Sequence, residues 1–177
     1  DRQRRLTGAL FGLRKPTLAA LPGPAAGAGL SIALACDMRI AAASAFISTG
    51  YVRVGLSGDY GVTWLLSQLV GRGRASELML LSEKVDATRC LGMGIFNRVV
   101  ADADLQTQAF ALARQLAHGP ALAQALIKDN LDDSSTVGFD TALDDEAVRL
   151  IRSTMDADHA EAVRAFVEKR APRFRSD

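Results

Sequence analysis

The stretch Lys15–Asp37, KPTLAALPGPAAGAGLSIALACD, decides the fold. Thr17 to Leu21 is a short apolar run ended by Pro22-Gly23-Pro24 and reads as a strand, and Leu30 to Ala35 reads as a buried helical segment. The glycine-rich turn between them delivers backbone N–H groups to a helix N-terminus, a place that stabilises developing negative charge. Spacing tests which charge. A dinucleotide fingerprint starting at Gly27 needs glycine where Ile32 stands, and a phosphate loop needs a closing G-K-[ST], whereas the nearest lysine is Lys15, ahead of the strand. A nucleophile elbow is nearly matched by Gly29-Leu30-Ser31-Ile32-Ala33, but its serine belongs on the tight turn leaving a strand, and Ser31 lies ten residues beyond Leu21. A serine hydrolase is therefore a rival that an active-site serine probe on Ser31 would test. What survives is an oxyanion hole built from the N–H groups of the turn.

Working outward, 177 residues with 49% hydrophobic and 23% charged side chains make one globular domain or slightly more, with a real core. A net charge of +1 argues against a nucleic-acid partner. The basic clusters Arg2, Arg4, Arg5 and Lys169, Arg170, Arg173, Arg175 read as solvated ends. Cys36 and Cys90, without CxxC spacing or a signal-like start, suggest a reducing cytoplasm, and Cys36 reads as a small apolar residue of its helix. No run approaches the ~20 apolar residues of a membrane helix, because Leu18–Ala35 is broken by prolines and glycines. Two histidines and two cysteines without ligand spacing argue against a metal.

Asp1–Leu13 reads as the end of a helix. Asp37–Ala42 and Ala45–Ser48 read as short strands and Tyr51–Val54 as a further extended piece. Val62, Leu65, Leu66, Leu69 and Val70 set a helical period that Gly71 stops, and a second helix covers Ala75–Leu81. Val85–Leu91 reads as a short helical piece and Phe96–Val100 as a last strand. Beyond Asp102 four helices are expected, marked by Leu105, Ala109, Leu112 and Leu116, by Leu122, Ala125 and Leu126, by Phe139, Leu143, Ala147, Leu150 and Ile151, and by Val163, Phe166 and Val167.

KPTLAALPGPAAGAGLSIALACDMRIAA, followed by VGLSGDYGVTWLLSQLVGRGRASELMLLSEKVDATRCLGMGIFNRVV, resembles the two signatures of the crotonase, or enoyl-CoA hydratase/isomerase, family over nearly the whole chain. The resemblance implies an α/β fold: a spiral of ββα turns over residues 1–101, then a helical trimerisation region over 102–177. It implies acyl-CoA thioester chemistry, with coenzyme A as part of the substrate and no separate cofactor, in a homotrimer or hexamer. The backbone N–H at Ala28, beside Gly27, would supply one of two hydrogen bonds to the thioester oxygen; removing such a donor costs about 3–4 kcal/mol of transition-state stabilisation. The family carries its second donor in an earlier N-terminal portion, whose loop is not in this sequence. The expectation is that these residues belong to a longer polypeptide; the alternative is a truncated protein.

Family hydratases use two glutamates, and the matching positions hold Ser31 and Tyr51. A serine or neutral tyrosine is a poor base near neutral pH. Asp59, in VGLSGDYG, stands where isomerases and a dehalogenase of the family carry an aspartate, so it is the candidate acid/base; as a residue just before a helix it reads equally as an N-cap. Ser31 and Tyr51 would position substrate or relay a proton, or merely fill space. Tyr60 and Trp64 would shape the acyl pocket or the core. Phe166 and Lys169, with Arg170 and Phe174, resemble the family's C-terminal element that contacts the nucleotide of coenzyme A. His118 and His159 read as surface residues. The rival to an enzyme is a degenerate acyl-CoA-binding or assembly subunit.

Overall fold

In the computed structural model, which describes residues 2–175, Pro22-Gly23-Pro24 ends the first strand where the sequence places its stop. β1 (Leu18–Leu21) precedes a two-residue β2 (Ala25–Ala26), and α2 (Gly27–Leu34) starts directly from it. Ahead of them a π-helical turn, Arg4–Gly8, runs into α1 (Ala9–Phe11). β3 (Met38–Ala42), β4 (Phe46–Ser48), β5 (Val85–Asp86) and β6 (Arg98–Val100) complete two three-stranded sheets. One is parallel, in the order β1-β3-β6, with Leu18 opposite Met38 and Ile40 opposite Arg98. The other, β2-β4-β5, pairs β2 with β4 in parallel and β4 with β5 antiparallel.

Both faces of β3 are covered, so Ile40, Ala41 and Ala42 read as a continuous apolar run and are buried. Leu30, Leu34, Ile47, Val62, Leu66, Ile95 and Phe96 join them in one core. Arg39 interrupts the run yet is only 3% exposed. Its guanidinium donates to the carbonyls of Ile95 and Cys36, both at 2.6 Å, and to that of Leu34 at 3.5 Å. A cation there sits at the negative end of α2. Burial pushes its pKa below the ordinary arginine value, while Cys36 and Asp37 act the other way.

The helix over residues 62–81 is α3 (Val62–Leu81), broken at Gly71, whose φ of 74° and ψ of 161° leave the helical region. α4 (Ala87–Gly92) follows β5 and is capped by Asp86, which accepts from the Arg89 N–H at 2.8 Å. Three boundaries differ from expectation. Tyr51–Val54 is not extended: Tyr51 is α-like and Val52–Val54 forms a 3-10 turn closed by left-handed Gly55. The N–H groups of Val54 and Leu56 both return to the Tyr51 carbonyl, so the segment satisfies itself locally. Val85-Asp86 pairs with β4 before the helix begins. Phe96 lies outside the last strand because its N–H bonds to the Cys90 carbonyl, the ladder starting only at Arg98.

Two compact units divide the chain. The first holds the residues up to Leu13 and Thr17–Ala111; the second holds Arg14–Pro16 and the residues from Leu112 onward. α5 (Leu105–Ala117) leads into the second unit, which contains α6 (Ala121–Asp133), α7 (Phe139–Thr154) and α8 (Ala157–Val167). Within it, Arg149 bridges α7 to Asn130, at 2.8 Å, and to Asp133 of α6. The expected apolar face of α7 exists but is uncovered: no residue of this helix is buried, and Phe139 is 80% exposed.

Candidate active site

The N-terminus of α2 is built by its backbone. Ala26 is extended, tied into the second sheet opposite Ser48, and Gly27 turns the chain with φ of 51°. That conformation strains any residue with a Cβ. No side chain caps α2, and the N–H of Ala28, in the first turn, has no acceptor within the helix. Ala28 is half-buried.

Ser31, one helical turn further on, is fully buried. Its hydroxyl lies 3.2 Å from the Gly27 carbonyl, 3.3 Å from the Asp59 carbonyl and 3.3 Å from the Tyr51 hydroxyl. The Tyr51 hydroxyl in turn donates to Asp59 Oδ1 at 2.5 Å, a charge-assisted bond. Ser31 of α2 and two residues of the segment between β4 and α3 thus form one chain of hydrogen bonds, and Ser31 ties the carboxylate turn to the glycine turn. Burial, and then the bond to Asp59, raise the Tyr51 pKa above the ordinary phenol value. The phenol therefore stays protonated, a donor and not a base.

Asp59 sits in an unusual turn. Gly58, Tyr60 and Gly61 all have positive φ, at 125°, 51° and 79°. The N-cap of α3 is Gly61 without a side-chain cap bond, so the Asp59 carboxylate is not spent on capping; only its carbonyl accepts from Val62, at 3.1 Å. A Cβ on Gly58 would meet Val62 Cγ1 at 3.1 Å and Met79 Cε at 3.3 Å. Gly58 and Gln3, whose side chain accepts from the Tyr60 N–H at 3.0 Å, are supports that sequence reasoning missed. The glycine spacing in SGDYG was the visible signal; nothing local pointed to Gln3.

Trp64 is 45% exposed, not a core residue, and packs edge-on against Phe11 with ring centroids 5.5 Å apart. Tyr60 is half-buried. Phe166 and Lys169 belong to the second unit, where Phe166 is exposed and Lys169 adopts a left-handed conformation just beyond α8. Arg170 is committed to Glu161 and Glu168. His118 and His159 are exposed. The Cys90 thiol is buried and pushed up to about 12 by burial, which makes it inert. A groove of about 730 Å³ is lined by β1, by Gly29 and Ile32 of α2 and by Cys36 beyond its end, but by neither Ala28 nor Ser31. Among the described residues no group of His, Cys, Asp and Glu could hold a metal, and no helix is long and apolar enough to cross a membrane.

The chain is similar to known proteins over nearly all of its length. Residues 2–177 match the family model described as enoyl-CoA hydratase/isomerase. The chain is 40% identical over 162 residues to the 1,2-epoxyphenylacetyl-CoA isomerase of Escherichia coli (strain K12), covering 92% of this chain and 62% of the relative. It is 38% identical over 169 residues to a probable enoyl-CoA hydratase of Rhodobacter capsulatus, covering 96% and 66%. It spans less than two thirds of the length of each of these relatives. The crystal structure of an enoyl-CoA hydratase from Polaromonas sp. JS666 superposes with a TM-score of 0.94 at 34% identity, over 98% of this chain and 67% of that one. The parallel strands, the glycine turn opening α2 and the C-terminal helices are those of the crotonase fold, and the chain belongs to the enoyl-CoA hydratase/isomerase family.

Proposed function

We propose that the polypeptide containing this chain acts on an acyl-CoA thioester, stabilising its enolate through the Ala28 N–H and moving a proton with Asp59. The observation that carries this reading is the Ser31 hydroxyl, within 3.3 Å of both the Gly27 and Asp59 carbonyls. It fixes the only acid of the cluster relative to the turn that would hold the thioester oxygen. Charge accumulating on that oxygen acidifies the adjacent carbon, and the Asp59 carboxylate removes its proton and returns it elsewhere. A single carboxylate with two neutral hydroxyls favours double-bond isomerisation over hydration, since nothing else in the cluster can activate water as a base. Gly27 lets the backbone reach the thioester. Phe166 and Lys169 contact the nucleotide end of coenzyme A, Trp64 the acyl chain, and the active form is a homotrimer or hexamer. No cofactor beyond the coenzyme A of the substrate is required. Cys36 and Cys90, which form no disulfide among the described residues, fit the reducing cytoplasm we propose as its location.

The test is turnover of a 2-enoyl-CoA and a 3-enoyl-CoA, resolved by mass, with the full natural polypeptide and its Asp59→Asn variant. Isomerised product of unchanged mass, reduced in the variant by roughly 10²–10⁴-fold, is expected. Product carrying an added water would replace isomerisation with a variant hydratase. A thioester that binds without turnover would favour an acyl-CoA-binding subunit, a reading motivated by serine and tyrosine at the two glutamate positions.

A further inference from the structure

We infer that Tyr51 is a positioning residue for Asp59: its hydroxyl clamps Oδ1 of the carboxylate and leaves Oδ2 as the oxygen that exchanges a proton with substrate. This rests on the proposed role of Asp59 and adds how that carboxylate is held. The bond lengths set the direction of the chain. At 2.5 Å to a charged acceptor, the Tyr51 proton is committed to Asp59. Towards Ser31, 3.3 Å away, Tyr51 can then only accept. The Ser31 proton has three acceptors within reach, the carbonyls of Gly27 and Asp59 and the Tyr51 oxygen, so it is a weaker and divided donor.

Tyr51 is 6% exposed and held by the turn that carries it, so the carboxylate cannot swing onto its other oxygen without breaking the bond. Other charges are sparse around the pair: α2 carries no titratable side chain, nor does Val62-Thr63-Trp64-Leu65 at the start of α3. Arg53, two residues beyond Tyr51, and Arg4 and Arg5 of the first turn are exposed.

Titration of Tyr51 in the full natural polypeptide without substrate tests the clamp independently of turnover. In Asp59→Asn the Tyr51 phenol, followed by absorbance of the phenolate, should titrate lower than in the parent, because the bond to a charged Asp59 that helps to raise it is gone. Tyr51→Phe, which keeps the ring, should lower kcat roughly tenfold with KM little changed, whereas a merely space-filling tyrosine would leave kcat in place. A Tyr51 titration unchanged in Asp59→Asn, or an unchanged kcat in folded Tyr51→Phe, overturns the clamp. A lowered Tyr51 titration in a protein that turns over neither enoyl-CoA would uphold the clamp and remove the enzyme reading.

Discussion

At the scale of single residues, the cluster depends on side chains that no local pattern connects. Ser31, Tyr51 and Asp59 could each be singled out by their places in the glycine turn and in VGLSGDYG. The bond from Tyr51 to Asp59 could not, because it requires residues 51–61 to fold back through a 3-10 turn and three positive-φ positions. The cap reading of Asp59 failed for the same reason: two residues further on, Gly61 takes the N-cap position with a backbone only glycine adopts cheaply. Gly58 is the position where this geometry is most exposed to mutation. With φ of 125° and two side-chain carbons within 3.3 Å of a new Cβ, Gly58→Ala should cost about 2 kcal/mol. The loss should appear in the urea midpoint, with turnover falling as the Asp59 carbonyl leaves Ser31.

Among elements, those with strong local signals were legible. The i, i+3, i+4 apolar period of α3 and its break at Gly71 appear where the sequence puts them, as does the strand that Pro22 ends. The two-residue β5 was not, since it exists only through a partner more than thirty residues away, and β6 starts two residues later than the sequence suggests because its ladder too is set by a distant partner. The segment after α8 is an instance of structure set by charge. Glu161 accepts from Arg170 at 2.6 Å, from the Arg173 N–H at 3.0 Å and from Arg164 at 2.8 Å. Arg170, and next the Arg173 N–H, hold its carboxyl down to about 2. A depressed carboxylate contributes fully above its ordinary value, 4.5, and the contribution is lost as pH falls towards 2. Hydrogen-exchange protection of Lys169–Arg175 should therefore fade over that acidic window. In Glu161→Gln it should be reduced several-fold already at neutral pH, and unchanged protection would mean that the tail is held otherwise.

For the molecule as a whole, the second unit carries more apolar surface than a solitary chain buries. Leu143, Leu150 and Ile151 of α7 are each more than half exposed, and Phe166 is 85% exposed. The sequence showed these faces by their helical spacing; it could not show that the chain alone leaves them open, because periodicity reports a face and not its partner. Contiguous apolar faces of this kind mark association surfaces. Native mass spectrometry should find the natural polypeptide as a trimer or a multiple of it. Ile151→Glu should shift the population to smaller species, since a charge buried in such a face costs several kcal/mol. A monomeric parent would remove the oligomer from the proposed function.

The turn at residues 58–61 bears on how such a protein can change over generations. Positive φ is required at Gly58, Tyr60 and Gly61 but not at Asp59, which alone of the four takes an ordinary backbone conformation. Selection can therefore try other side chains at that one position without dismantling the turn that presents them. Drift at its neighbours is penalised by strain before chemistry is affected at all. The inherited part of the site is the shape of the backbone, and the reaction it serves is the part most open to revision.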